Sequence, residues 1–174
     1  MAVDNITIER ISKAHPKIRE ELLNDYIYCN NNILGKGVRL RFAYVLRTNE
    51  EQDALYAIGR TKPGRKVTNA KGGQSIHNYG LAFDIVLLYD LDDNGTFETA
   101  SWDMVKDGDN DKKADWMEVV EYFKSKGWTW GGDWKKFKDY PHFQKDFGFD
   151  WKTLKYRVDR NITIQDNGIT YPKI

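Results

Sequence analysis

Between Gly80 and Leu88 the chain runs Leu-Ala-Phe-Asp-Ile-Val-Leu-Leu, a segment of strand length, apolar and partly β-branched, interrupted once by Asp84. A run this apolar has to be buried, and a carboxylate among Phe83, Ile85, Val86 and Leu87 is costly there unless a cation or hydrogen bonds compensate it. Any fold of this sequence must therefore bring compensating groups to one point on this strand.

The histidines narrow what those groups are. His77 lies in the loop Ser75-Ile-His77-Asn-Tyr-Gly80 just before the strand, and His142 lies in Asp139-Tyr-Pro-His142-Phe143, three residues after another acid. The third, His15, directly precedes Pro16 and reads as a residue at a helix start. Two imidazoles and one carboxylate make three protein ligands, the number a catalytic zinc takes while a fourth position stays open to water. A further group that is not a ligand must accept a proton from that water, and Asp139 is placed for it, with Asp133 as second choice. Arg47 is a cation that would meet charge developing on a substrate carbonyl. Each residue also has a plainer reading. His77 and His142 would serve as hydrogen-bonded structural histidines, Asp84 as a buried structural carboxylate, Arg47 as half of a surface ion pair and Ser75 as a turn cap. No Gly-x-Ser-x-Gly elbow is present, Gly72-Gly73 lacks the ending of a phosphate loop, and Cys29 sits in a helical pattern without an activating neighbour.

The surrounding elements suit an α+β chain, a small antiparallel sheet flanked by helices. A helix is predicted from Pro16 to about Asn31 with Ile18, Leu22 and Tyr26 inward, and a strand over Leu40–Leu46 with Leu40, Phe42, Tyr44 and Leu46 on one side. Thr48 and Glu51 form a capping box for a second helix that stops near Gly59. Asp115 would cap a third helix to Lys126, with Trp116, Val120 and Phe123 inward and Gly127 ending it. Ile162–Ile164 and Ile169–Tyr171 flank Asp166-Asn167-Gly168, a hairpin signal.

With 174 residues, 27 basic and 26 acidic, the chain fits one domain and its charge gives no case for a nucleic-acid partner. No apolar stretch is long enough for a membrane span, and a lone cysteine leaves the fold independent of an oxidising compartment. The opening MAVDNITIERI is not a secretory signal, so the expectation is a cytoplasmic protein that another agent releases to its site of action. Six Trp and ten Tyr supply aromatics for a cleft wall facing a sugar-linked or peptide substrate.

Ser75-x-His77-x-x-Gly80-x-Ala82-x-Asp84, followed by Asp139-x-x-His142, is similar to the signature of the zinc D-Ala-D-Ala carboxypeptidases and L-alanyl-D-glutamate endopeptidases. Leu46-Arg47-Thr48 and Gln52 to Thr61 resemble the segment that family carries before its metal loop. Trp130-Gly-Gly-Asp-Trp134 and Pro141-His142-Phe143 resemble its endopeptidase branch, in the manner of phage lysins. Over about residues 38 to 145, the resemblance implies a hedgehog/D-Ala-D-Ala peptidase-like fold with zinc on His77, Asp84 and His142 in a cleft. It implies Asp139 as base, Arg47 on the substrate carbonyl or carboxylate, Ser75 orienting the metal loop or the substrate, and Gln52 toward substrate. The implied substrate is the peptide stem of peptidoglycan, cut between L-Ala and D-Glu by a monomer. A D-Ala-D-Ala carboxypeptidase is the alternative, and a zinc-stabilised binding domain without catalysis the third reading. Residues 146–174 have no counterpart in the minimal core and read as a helix and hairpin packed on it.

The segment from Asp90 to Asp115 carries nine acids against three lysines and is self-repelling unless solvated or neutralised. Asp107, Asp109, Asp111, Asp115 and Glu118 fall at positions 1, 3, 5, 9 and 12 of an EF-hand-like calcium loop. Lys112 stands at the sixth position, where glycine usually supplies a positive φ, and a solvated acidic loop is the alternative. Asp90-x-Asp92-x-Asn94-Gly95 starts in the same way but has Ser101 at the twelfth place.

Overall fold

A computed structural model describes residues 2–174. The apolar run forms β2 (Ala82–Tyr89), the strand on which the sheet is built. Along one edge it pairs with β1 (Val38–Tyr44). Its other edge is shared between β5 (His142–Gln144) at the start and β3 (Thr99–Ser101) at the end, all antiparallel. The two-residue β4 (Thr129–Trp130) adds to β5.

Strand alternation gives this sheet two different faces. Phe83 and Phe143 are register partners on β2 and β5, stacked with ring centroids 5.0 Å apart, and Phe42 of β1 stacks on Phe83 at 4.2 Å. The next pair in the same register, Asp84 opposite His142, turns to the other face. Helix α4 (Asp115–Ser125) closes the aromatic face, Phe123 meeting Phe83 edge-on at 4.9 Å. Trp116, Val120 and Phe123 point inward as the pattern predicts. Asp115 does not cap this helix. It is the first helical residue, fully buried, and its Oδ2 accepts from Tyr89 Oη (2.7 Å) and Gly108 N (2.8 Å), a tertiary pairing that outweighs the local cap.

Helix α2 (Pro16–Tyr28) starts at Pro16 and continues through a wider turn at Cys29–Ile33, with Ile18, Leu22 and Tyr26 buried. Helix α1 (Asn5–Ser12), which no sequence pattern above marks, is capped by Asp4, whose carboxylate accepts from Thr7 N and pairs with Arg41. Helix α3 (Asn49–Ala57) carries the Thr48/Glu51 capping box.

One expectation fails on β1. Leu40 and Phe42 are buried, but Tyr44 is 48% exposed, because a bulge between Phe42 and Tyr44 resets the alternation. Two residues of β1 there span one step of β2, which turns Tyr44 out beside Asp84.

The tail forms α5 (Trp151–Asp159) and the hairpin β6 (Thr163–Asp166) to β7 (Ile169–Pro172), turning at Asn167 and Gly168, both at positive φ. Tyr171 is fully buried and donates to Lys13 O, and Arg19 pairs with Asp166. His15 starts α2 through Nδ1, which accepts from Lys17 N, and its Nε2–H donates to Pro172 O at 2.8 Å. His15 N in turn donates to Gly80 O. Gly80 therefore joins the α1–α2 corner to the loop of His77, at φ +70° and with a Cβ position only 2.7 Å from His15 N. Gly80→Ala should cost more than about 1 kcal/mol, because strain and collision add. Denaturant unfolding checks this, and a midpoint equal to wild type would contradict the close approach.

Candidate metal centre

His77 is held in a short 3-10 turn, Ile76–Tyr79. Ser75 caps it, its Oγ accepting from His77 N, while Asn78 Oδ1 accepts from Ser75 N and Gly73 N. Asn78 also donates to Arg47 O, and Arg47 N donates to His77 O, so the loop is tied to the end of β1. Asp84 and His142 come from facing positions on β2 and β5.

These three side chains converge. His77 Nε2 lies 3.1 Å from Asp84 Oδ1 and 3.2 Å from His142 Nδ1, and His142 Nδ1 lies 3.2 Å from the same Asp84 oxygen. Their outer partners fix the protons. His77 Nδ1 faces Val45 O at 2.8 Å, and a carbonyl only accepts, so Nδ1 carries the hydrogen. Gln144 Nε2 donates to Asp146 at 2.6 Å, which leaves Gln144 Oε1 to accept from His142 Nε2 at 2.9 Å. In the neutral imidazoles the inward nitrogens are then bare lone pairs facing a carboxylate oxygen. Three acceptors at about van der Waals distance repel one another unless a cation lies among them. Ligands about 2.0–2.2 Å from a tetrahedral ion stand about 3.3 Å apart, close to this triangle, so the group fits a metal ion.

The electrostatics agree. Burial works against Asp84's charge, but the facing His77 and His142 hold its carboxyl well below the usual range. Burial alone would lower His142, yet its hydrogen bond and charge pairing with Asp84 raise it. Without a metal, protons have to take the place of the cation.

Arg47 is 8% exposed, not part of a surface pair. Its Nη2 approaches Asp84 Oδ2 at 3.5 Å, Nη1 donates to Gln52 Oε1 at 3.0 Å, and the guanidinium lies over the Tyr44 ring. It holds the ligand carboxylate from behind, leaving Oδ1 to the histidines. Gln52 differs from the expectation of a substrate contact. It is 1% exposed and its amide is spent on Arg47, Ala70 O and Thr68, so it positions Arg47 beneath the cleft. Ser75 lines the cleft, and its hydroxyl serves the metal loop, one of the two roles expected of it.

Above the triad opens a cleft of about 440 Å³, lined among others by Tyr44, Trp134 and Asp139. Asp139 is solvent-accessible, yet its carboxyl is raised, first by desolvation and then by the Asp84 charge, against the pull of His142, His77 and Arg47. Its loop is braced by Gly131, whose carbonyl accepts from Asp139 N and whose Cβ position falls 2.3 Å from Asp139 O. Trp130 Nε1 donates to Tyr140 O in the same brace. Asp133, the second choice as base, is paired with Lys124. The calcium candidates Asp107, Asp109, Asp111, Asp115 and Glu118 form separate clusters that share no residue with this triad. Sequence reasoning missed Gln144, Val45 O and Tyr44. Gln144 stands two residues from His142, the same-face spacing on a strand, but β5 is too short to announce itself.

Residues 68–145 match the family model described as D-alanyl-D-alanine carboxypeptidase. The peptidoglycan L-alanyl-D-glutamate endopeptidase CwlK of Bacillus subtilis (strain 168) is 50% identical over 109 residues, 63% of this chain and 62% of that protein. The chain thus spans about three fifths of the relative's length. The crystal structure of the L-Ala D-Glu endopeptidase ChiX of Serratia marcescens aligns with a TM-score of 0.48 at 21% identity, over 84% of this chain and 91% of that one. The first two matches bear out the resemblance carried by Ser75 through His142.

His77→Ala and His142→Ala should each lose the metal, since two protein ligands remain. Elemental analysis reads this directly, and full occupancy in both variants would overturn the ligand set. Arg47→Lys should weaken metal affinity or turnover by about 10- to 100-fold, because a lysine cannot hold Asp84 and Gln52 together. A variant that binds metal and turns over like wild type would free Arg47 of this role.

Proposed function

We propose that this chain is a zinc peptidase that hydrolyses the L-Ala–D-Glu bond in the peptide stem of bacterial peptidoglycan. The observation that carries the reading is the convergence of two imidazole nitrogens and one carboxylate oxygen on the floor of a cleft that also holds Asp139. Two nitrogens and one oxygen at these separations suit zinc among the biological divalent ions. The L-alanyl-D-glutamate endopeptidase activity named for the Bacillus subtilis relative supports the choice of bond.

When bound, zinc would supply Lewis acidity toward a carbonyl and lower the pKa of a water to about 7. His77, Asp84 and His142 would hold it, their orientation set by Val45 O, Arg47 and Gln144. Asp139 accepts a proton from the attacking water and returns it to the leaving amine. The desolvation and the Asp84 charge that raise its carboxyl make it a stronger base than a free aspartate. Tyr44 and Trp134 give the stem peptide two aromatic walls.

The description attached to the family match favours a second reading, release of the terminal D-Ala. Mass spectrometry of digested peptidoglycan separates the outcomes. A new N-terminal D-Glu supports the endopeptidase, free D-Ala the carboxypeptidase, and no product a binding domain. Asp139→Asn should keep its metal while turnover falls about 10²-fold or more. Near-normal turnover in that variant would remove Asp139 as the base.

A further inference from the structure

The acidic loop at the start of α4 has features that solvated carboxylates do not explain. Oxygen atoms of Asp107, Asp109 and Asp115 lie within 4.8 Å of one another, and so do those of Asp109, Asp111 and Glu118. Two of these residues are not surface groups. Asp115 is fully buried and Glu118 is 8% exposed, and each has one carboxylate oxygen, Asp115 Oδ1 and Glu118 Oε2, sealed from solvent without a hydrogen-bond partner. Asp115 cannot turn away, since its other oxygen is held by Tyr89 and Gly108. Among the described residues, the one cation paired with Glu118, Lys113, is exposed and stands 3.8 Å away. A sealed carboxylate oxygen facing further carboxylates is unstable without a positive partner. In keeping with this, burial and then the charges of Asp111 and Asp109 push Glu118 up to about 7.

The backbone agrees with the spacing. Lys112 at the sixth position adopts φ +76° although it is not glycine, making the sharp turn the loop needs there. Asp107 and Asp109 accept from the amide of Asp111, and Asp109 also accepts from Gly35 N, which ties the loop to the segment before β1. The Asp90–Gly95 turn makes a useful contrast. Its carboxylates also accept from their own backbone or pair with Lys36, but none has a sealed, unpartnered oxygen and they form no such cluster among the described residues.

We propose that the Asp107–Glu118 loop binds one calcium ion through Asp107, Asp109, Asp111 and Glu118, with Asp115 at its ninth position. The donors are all oxygen, which selects a hard cation over zinc. The flexible, many-liganded arrangement suits calcium better than magnesium, which demands a tight octahedron and keeps its waters. The ion fixes the first turn of α4, and α4 packs Phe123 on Phe83 and Phe143, the sequence neighbours of Asp84 and His142.

Calorimetry of the full chain with calcium chloride tests this without any reading of hydrolysis, so its failure is distinct from failure of the proposed activity. One site is expected, with Kd between about 10⁻⁵ and 10⁻³ M because lysine replaces the usual glycine, and the thermal midpoint should rise with calcium. Glu118→Gln should weaken binding about tenfold or more, and the exposed Asp111→Asn should weaken it severalfold, which decides the matter if Glu118→Gln folds poorly. His77→Ala should bind calcium as wild type does, placing the site outside the triad. No binding at about 10 mM calcium, unchanged affinity in Asp111→Asn, or an equal response to magnesium overturns the proposal.

Discussion

The charge on Asp84 is the constraint to which the rest of this structure answers. It stands in a strand whose other residues are apolar, its side chain 18% exposed, in a place where an unpaired carboxylate is costly. Compensation comes from four directions. His77 arrives on a capped turn from one side, His142 from the facing strand, and Arg47 from the end of β1. The fourth is the position at which three lone pairs meet. Each supplier is in turn fixed by something farther out: Val45 O, Gln144 with Asp146, and Gln52. Removing any of these would leave a ligand free to rotate away, so Val45 and Gln52 are buried and Gln144 is held by Asp146.

The sheet makes this compatible with stability. One step of register separates Asp84 and His142 from Phe83 and Phe143. Strand alternation places the polar pair on the cleft face and the aromatic pair against α4. The site therefore leaves the aromatic layer unbroken, because its two neighbours are the stacked rings that anchor β2 to β5. A slip of one residue would bury the metal ligands in the aromatic layer, so the register is strongly specified.

Much of this was legible in residue order, for local reasons. Thr48 with Glu51, Pro16 and Asp166-Asn167-Gly168 are short-range signals, and their elements stand where predicted. The triad was legible because Asp84 is out of place in its strand and histidines are few. What stayed hidden depended on partners distant in sequence. Strands β3 and β5 have three residues each, too few to show a period. The bulge at Tyr44 cannot be inferred, since an unbroken alternation reads identically. Asp115 has the residue type of a cap, yet Tyr89 claims it from 26 positions away. Gln52 resembles a substrate contact by position, but its amide is consumed by Arg47.

Strand β2 also sets the relation between the two proposed ion sites. Asp84 lies near its start, and Tyr89 at its end donates to Asp115, so one strand connects the buried nitrogen-containing triad with the oxygen-only loop. The donor sets of the two proposed sites would select different ions. Imidazole nitrogens favour zinc, and calcium has little affinity for them, while an open cage of carboxylates gives zinc no advantage of geometry. The mechanical link is α4. Its first turn is held by the acidic loop and its middle by Phe123 against Phe83 and Phe143. A cation bound at Glu118, as proposed, would therefore brace the helix that packs on the layer beside Asp84 and His142.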